Sequence, residues 1–184
     1  MTATTPRPIT VSAFLAWAEA HAEPPHVELI DGQIVAVAPE GSAHNRTKFK
    51  TARVLQHALD AAGLAGETFT NGMLVPIDAG TAYEPDAMVR CGAPLPGAGM
   101  IVTDPVIVAE VVSPRSAQRD TGAKLIGYFK LASVRHYLVI DPDGRIVTHH
   151  ARAADSIIVA STLTAGALRL DPPGLVVEVA DLFG

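Results

Sequence analysis

One cysteine, Cys91, is all that the 184 residues contain, so no internal disulfide can form and a reducing, cytoplasmic setting is expected. No uninterrupted apolar run approaches the ~18 residues that a membrane-spanning helix needs, which excludes that class. The opening Met1-Thr-Ala-Thr-Thr-Pro-Arg-Pro lacks the basic-then-apolar pattern of a signal peptide. Basic residues are in deficit, 14 against 19 acidic ones, for a formal charge of −5. That balance argues against a broad nucleic-acid-binding surface. Carboxylates clustered around a divalent metal would also push the balance acidic, so charge alone leaves the partner open.

Several catalytic signatures are missing as well. The Gly/Pro-rich stretch at 92–99 lacks the glycine spacing and the Lys-Ser/Thr ending of a phosphate loop. No Gly-x-Ser-x-Gly turn exists for a serine hydrolase. Seven histidines, His149-His150 among them, show neither an HExxH nor a Cys-His spacing, which argues against zinc. Cys91 has no recognisable base partner and reads as packing. His136, at a strand start, reads as structural.

What the chain does have is a 48% apolar content, which excludes disorder and suffices for one sizeable core. Residues 1–9, with two prolines and no pattern, read as a loose arm, and 10–184 as a single domain. Thr10 or Ser12 can cap a first helix reaching about Ala22. Val27 to Val37 reads as a hairpin around Asp31-Gly32. A helix from Ser42 to about Ala62 places Phe49, Ala52, Leu55, Leu59 and Ala62 on one face. Strands are predicted at 67–77, broken by Asn71-Gly72, and at 87–91. The nearly continuous apolar run Val106-Ile-Val-Ala-Glu-Val-Val suits a strand buried on both faces. A helix over 119–132 precedes a second buried strand at 136–141 and short strands to the end. This order predicts a mixed α/β (α+β) fold with one central mixed sheet flanked by helices.

The polar group that physics least favours is Glu110, inside that apolar run. A buried carboxylate must be protonated, paired or metal-bound, and the sequence leaves all three open. Asp86 follows Pro85, which sets an extended backbone at a strand entry, although Pro-Asp is also ordinary turn chemistry. Glu28 shares a face with Ile30 on an early strand. Asp120, Lys124 and Tyr128 fall at i, i+4, i+8 on one helix face, a spacing that also describes a solvated surface pair.

Taken in order, Glu28-Leu-Ile-Asp-Gly, His44-Asn45, Pro85-Asp86, Glu110-Val-Val-Ser-Pro, Arg119-Asp120, Lys124 with Tyr128, and Tyr137-Leu-Val-Ile-Asp-Pro resemble the Uma-type restriction-endonuclease family, a branch of the PD-(D/E)xK nucleases. The resemblance runs from about residue 10 to the closing Asp181-Leu-Phe. It implies a restriction-endonuclease-like core and metal-dependent hydrolysis of DNA. Asp86 and Glu110 match the family acids, and the position two residues after Glu110, usually lysine, is Val112. Lys124 on the following helix matches a variant that supplies the ammonium from there. Glu28 and His44 match supporting positions, joined by Asp120 and Tyr128. The implied ion is Mg2+ or Mn2+, held by Asp86, Glu110 and the main-chain carbonyl of Val111. A homodimer is implied too, since cutting both strands needs two sites related by symmetry. The alternative is a catalytically inactive nuclease fold acting as a binding or structural module.

Overall fold

In the computed structural model, which describes residues 8–21, 26–112, 122–154 and 157–183, local turn chemistry sets most element boundaries. Helix α1 (Val11–Ala20) begins at Thr10, whose side-chain oxygen accepts the Ala13 N–H at 3.2 Å. Strands β1 (Val27–Ile30) and β2 (Gln33–Ala36) close the expected hairpin. Asp31 and Gly32 both take positive φ, 49° and 75°, as a type I′ turn requires.

Helix α2 (Ser42–Ala61) follows, then β3 (Gly66–Thr70), β4 (Val75–Asp78), β5 (Thr81–Tyr83), β6 (Ala87–Cys91) and β7 (Ile107–Val111). Helix α3 (Ala123–Lys130) leads to β8 (His136–Asp141), β9 (Ile146–Arg152), β10 (Ile158–Leu163), β11 (Ala167–Leu170) and β12 (Leu175–Glu178). A 3-10 turn, Val179–Leu182, closes the described chain.

The large sheet has six strands in the order β10-β9-β8-β7-β6-β3. Only β7 and β8 run parallel within it, and α3 lies in the crossover between them. Its central strand β7 is buried at every residue, as its apolar run predicts. Alternation along β7 sends Ile107, Ala109 and Val111 to one face, against Leu55 and Leu59 of α2 and the β11–β12 hairpin. Val108 and Glu110 take the other face, where Tyr128 and Phe129 of α3 pack with Val75, Ile77 and Tyr83.

Three expectations need correction. The run at 67–77 does not stay in one sheet. Asn71-Gly72, with Gly72 at φ 98°, turns the chain out of the large sheet. It then enters a second, four-stranded sheet ordered β2-β1-β5-β4, which adds to the single sheet expected. The third helix is shorter than 119–132: it ends at Lys130, where Leu131 is already extended, and residues 119–121 lie outside the described ones. Phe49 does not face the core but is 63% exposed. The buried stripe of α2 runs instead through His44, Thr47, Lys48, Thr51, Leu55 and Leu59.

Gly127 explains how closely α3 approaches the small sheet. A Cβ there would sit 2.6 Å from the Tyr83 ring, so only glycine admits this contact. On the far side of the fold, His136 and His149 form a buried pair with Nδ1 and Nε2 2.9 Å apart, and His136 Nε2 lies 2.9 Å from the Pro172 carbonyl. The carbonyl can only accept, so His136 donates from Nε2 and receives the His149 Nε2–H at Nδ1.

Burial, followed by the neighbouring His136 and His150, pushes His149 down from 6.5 to about 4. Between those values the unfolded chain takes up a proton that the folded one refuses. Stability therefore falls as pH drops from about 6.5 to about 4 and levels off below that range. His149→Gln, which retains a donor for His136 but does not titrate, should flatten the dependence of Tm on pH across this window. The residual slope should come from His136 and His150, both also lowered by burial. Thermal unfolding at pH steps measures it.

Candidate active site

Where the chain leaves the small sheet at Tyr83 and enters the large one at Ala87, it carries Glu84-Pro85-Asp86 across the junction. Ala87 pairs with Ala109, so Asp86 and Glu110 occupy the next register positions on neighbouring strands. The link is direct: the Val111 N–H donates to Asp86 Oδ2 at 2.7 Å. Two buried clusters meet at this joint, one around each acid.

The first surrounds Glu110, which is 3% exposed. Its Oε1 receives hydrogen bonds from Lys124 Nζ and the Tyr128 hydroxyl, both at 2.7 Å. Lys124 Nζ also lies 2.8 Å from Glu28 Oε1, which accepts the Glu84 N–H at 3.1 Å. The Tyr83 ring lies beneath the ammonium, 5.6 Å from centroid to Nζ, and packs edge-on against Tyr128. Burial first, then the Glu110 carboxylate, holds the Tyr128 hydroxyl well above the usual phenol range, so it stays protonated and donates.

The second cluster surrounds Asp86, on the α2 side. Lys48 Nζ sits 2.8 Å from Asp86 Oδ1 and 2.8 Å from Glu40 Oε2. His44 Nε2 lies 3.2 Å from Glu40 Oε1 and 3.6 Å from Asp86 Oδ2. Burial would raise Asp86, but the His44 ring, the Lys48 ammonium and the Val111 N–H outweigh it and hold the carboxyl below its ordinary value. Lys48 rises for the reciprocal reason: burial lowers it, and Asp86 and Glu40 more than compensate.

The structure thus brings Glu28, Glu110, Lys124 and Tyr128 into contact, and separately His44 with Asp86. Lys124 meets Glu110; the ammonium on Asp86 belongs to a different residue, Lys48. The contact that Val111 makes with Asp86 is through its N–H, and Asp120 lies outside the described residues. Glu40 and Lys48 were missed in the sequence. Their signal was present, since Glu40, His44, Lys48 and Thr51 continue the apolar stripe of Leu55 and Leu59 towards the start of α2.

The two clusters together hold four carboxylates and two lysine ammonium groups, an acidic excess suited to a hard divalent cation. Among described residues, the donor atoms of Glu40, His44 and Asp86 all lie within 4.8 Å of one another. No helix among them is long and apolar enough to cross a membrane.

A buried ion pair is costly to break from one side, by about 3–5 kcal/mol. Lys124→Met should therefore lower unfolding stability by about that amount in urea melts. Adding Glu28→Gln should recover part of the loss, because one carboxylate then no longer needs a counter-charge.

Comparison with known proteins bears on the family and the fold. The family model Uma2, described as "Putative restriction endonuclease", matches residues 11–180. An uncharacterized Synechocystis protein, sll1609, is 31% identical over 131 residues, covering 70% of this chain and 73% of that protein. A crystal structure from Anabaena variabilis, described as a "putative nuclease belonging to DUF820", aligns with a TM-score of 0.74 at 18% identity and covers 96% of this chain and 98% of its own. The last likeness establishes the fold, a mixed sheet flanked by helices. The family match spans nearly the whole described chain, and the protein belongs to the Uma2 family.

Proposed function

We propose that the protein is a metal-dependent endonuclease that hydrolyses phosphodiester bonds in DNA, with Asp86, Glu110 and Lys124 as its catalytic residues. The observation that carries this reading is the pair of buried carboxylates at adjacent register positions, each matched by a buried lysine. Asp86, Glu110 and the Val111 carbonyl are the ligands we assign to Mg2+ or Mn2+. Such an ion would supply a water that is nucleophilic near neutral pH and positive charge against the phosphate.

The chain's own groups have definite tasks in this reading. Lys124 offers an ammonium at a fixed point, pinned between Glu28 and Glu110, where it can orient the water or meet developing negative charge. It does so from α3, which compensates for Val112 at the usual lysine position. Tyr128 holds Glu110 Oε1 in one orientation, and Glu28 anchors Lys124 from the small sheet. Asp120, one helical turn before Lys124 in the sequence, and His44 beside Asp86 are assigned supporting roles. The lone thiol Cys91 supports a reducing, cytoplasmic location.

Supercoiled plasmid incubated with micromolar protein and Mn2+ or Mg2+ at pH 7–9 should be nicked or linearised. Asp86→Asn and Glu110→Gln should abolish cleavage. Lys124→Gln, which keeps a donor but not the charge, should slow it by about 100-fold, the scale for removing one preorganised donor. A plasmid left intact under all these conditions discards catalysis and leaves the fold as a binding module.

Cutting both strands needs two sites, and β10 offers the surface for a second copy of the chain. It is one of the two edge strands of the large sheet, without a partner on its outer side among the described residues, and it carries no charge or proline. Ile157, Ile158 and Val159 are exposed in succession, at 58%, 39% and 52%. Edge strands are normally blunted by charge, proline or a bulge, and antiparallel self-pairing would cover this one without repulsion. Light scattering at about 10 μM, a concentration at which specific protein interfaces are occupied, should give a dimer mass that Val159→Lys converts to a monomer. A monomeric native protein would remove the proposal.

A further inference from the structure

The imidazole of His44 is buried, yet neither ring nitrogen makes a hydrogen bond of usable geometry. A buried polar ring left in that state is costly unless something else engages it. Its Nε2 faces Glu40 Oε1 at 3.2 Å and Asp86 Oδ2 at 3.6 Å. Octahedral bonds of about 2.1 Å place neighbouring ligands about 3 Å apart and opposite ones about 4.2 Å apart. The observed separations lie in that range, and a small inward movement would close the set.

Lys48 supplies the second observation. Its ammonium bridges Asp86 and Glu40 at 2.8 Å from each, so a positive charge already occupies the space between these two carboxylates. The long lysine stem can withdraw, leaving the carboxylates to another cation. Glu40 is the most open of these side chains, at 25% exposure, and provides the route from solvent. His44 and Lys48 sit one helical turn apart on the buried stripe of α2, and Glu40 lies one turn earlier, just ahead of the helix.

We infer that Glu40, His44 and Asp86 form a cation site with a nitrogen ligand, which takes a first-row transition ion such as Mn2+ in preference to Mg2+, and that Lys48 holds the cation's place when no metal is bound. An imidazole beside two carboxylates favours a softer ion than an all-oxygen shell, and Mg2+ keeps its waters more tightly than it accepts nitrogen. This site shares only Asp86 with the ligand set proposed above, and the inference rests on that proposal for the catalytic use of Asp86. Binding itself can be tested separately.

The experiment is titration calorimetry of the full chain with MnCl2 and with MgCl2, together with pulsed electron paramagnetic resonance of the Mn2+-loaded protein. Mn2+ should bind about tenfold or more tightly than Mg2+, with nitrogen modulation from one histidine ligand. Loss even of an outer partner of a metal ligand costs about 10–100-fold in affinity, so His44→Gln should weaken Mn2+ by about tenfold or more, erase the preference and remove the modulation. Glu40→Gln should weaken Mn2+ while leaving the nitrogen signal in the ion that still binds. If a variant fails to fold, the signal of the native protein still decides. Mn2+ bound without nitrogen modulation overturns the inference, as does modulation that persists in folded His44→Gln, or no binding at all. Plasmid cleavage read on the same samples separates the two claims. Nitrogen-ligated Mn2+ with intact plasmid removes the nuclease and keeps the site; cleaved plasmid with Mn2+ bound but no nitrogen modulation removes the site and keeps the nuclease.

Discussion

An ammonium group with almost no access to water holds this architecture together. Lys124 is 2% exposed and lies between Glu28 of the four-stranded sheet and Glu110 of the six-stranded one. Taking a lysine and two carboxylates out of water costs several kcal/mol per ion, which only close mutual pairing offsets. The contact therefore fixes three elements at once: β1, β7 and α3 must dock so that their charged tips converge. The bare backbone at Gly127 lets the helix come close enough for this to happen. The packing around it, with Tyr83, Tyr128 and Tyr137 in successive ring contacts, keeps solvent away and keeps the electrostatic coupling strong.

The second cluster is built differently. Lys48 and Asp86 are well buried, but Glu40 reaches the surface and the His44 ring is not hydrogen-bonded. One cluster is thus closed to solvent, while the other opens to it at Glu40. Val111 sits between them, its N–H on Asp86 and its neighbour Glu110 in the other cluster. A change of charge on either side is felt on the other through a single peptide unit.

Much of this was legible in the sequence, for reasons that differ by residue. Glu110 stood out because a carboxylate inside a fully apolar run violates the ordinary preference for water. Asp31-Gly32 and Pro85-Asp86 were readable because backbone stereochemistry is local. Lys124 and Tyr128 could be placed on one helix face by spacing, but nothing in the spacing said that this face was buried; the ordered resemblance gave Lys124 a role without giving its burial. Glu40 and Lys48 escaped because an apolar-first reading of α2 turned Phe49 inward, whereas the helix presents its polar stripe to the acids. The second sheet escaped because β5 is three residues long and its pairing with β1 joins residues as distant as Leu29 and Ala82. Such contacts are decided by tertiary packing, which one-dimensional patterns record weakly.

The passage of the main chain from one sheet to the other at Glu84-Pro85-Asp86 has a mechanical consequence. Glu84 accepts the Gly72 N–H at 2.7 Å, and its own N–H is held by Glu28, so both crossings between the sheets are stitched together at one seam. A rigid tilt of the four-stranded sheet would pivot there and draw Glu28 away from its lysine. Residues of the hairpin arm, Gln33–Ala36, meet the centre through the backbone pairing of Val35 with Glu28, so they ride on the same lever. Their packing sets how firmly the hinge is braced.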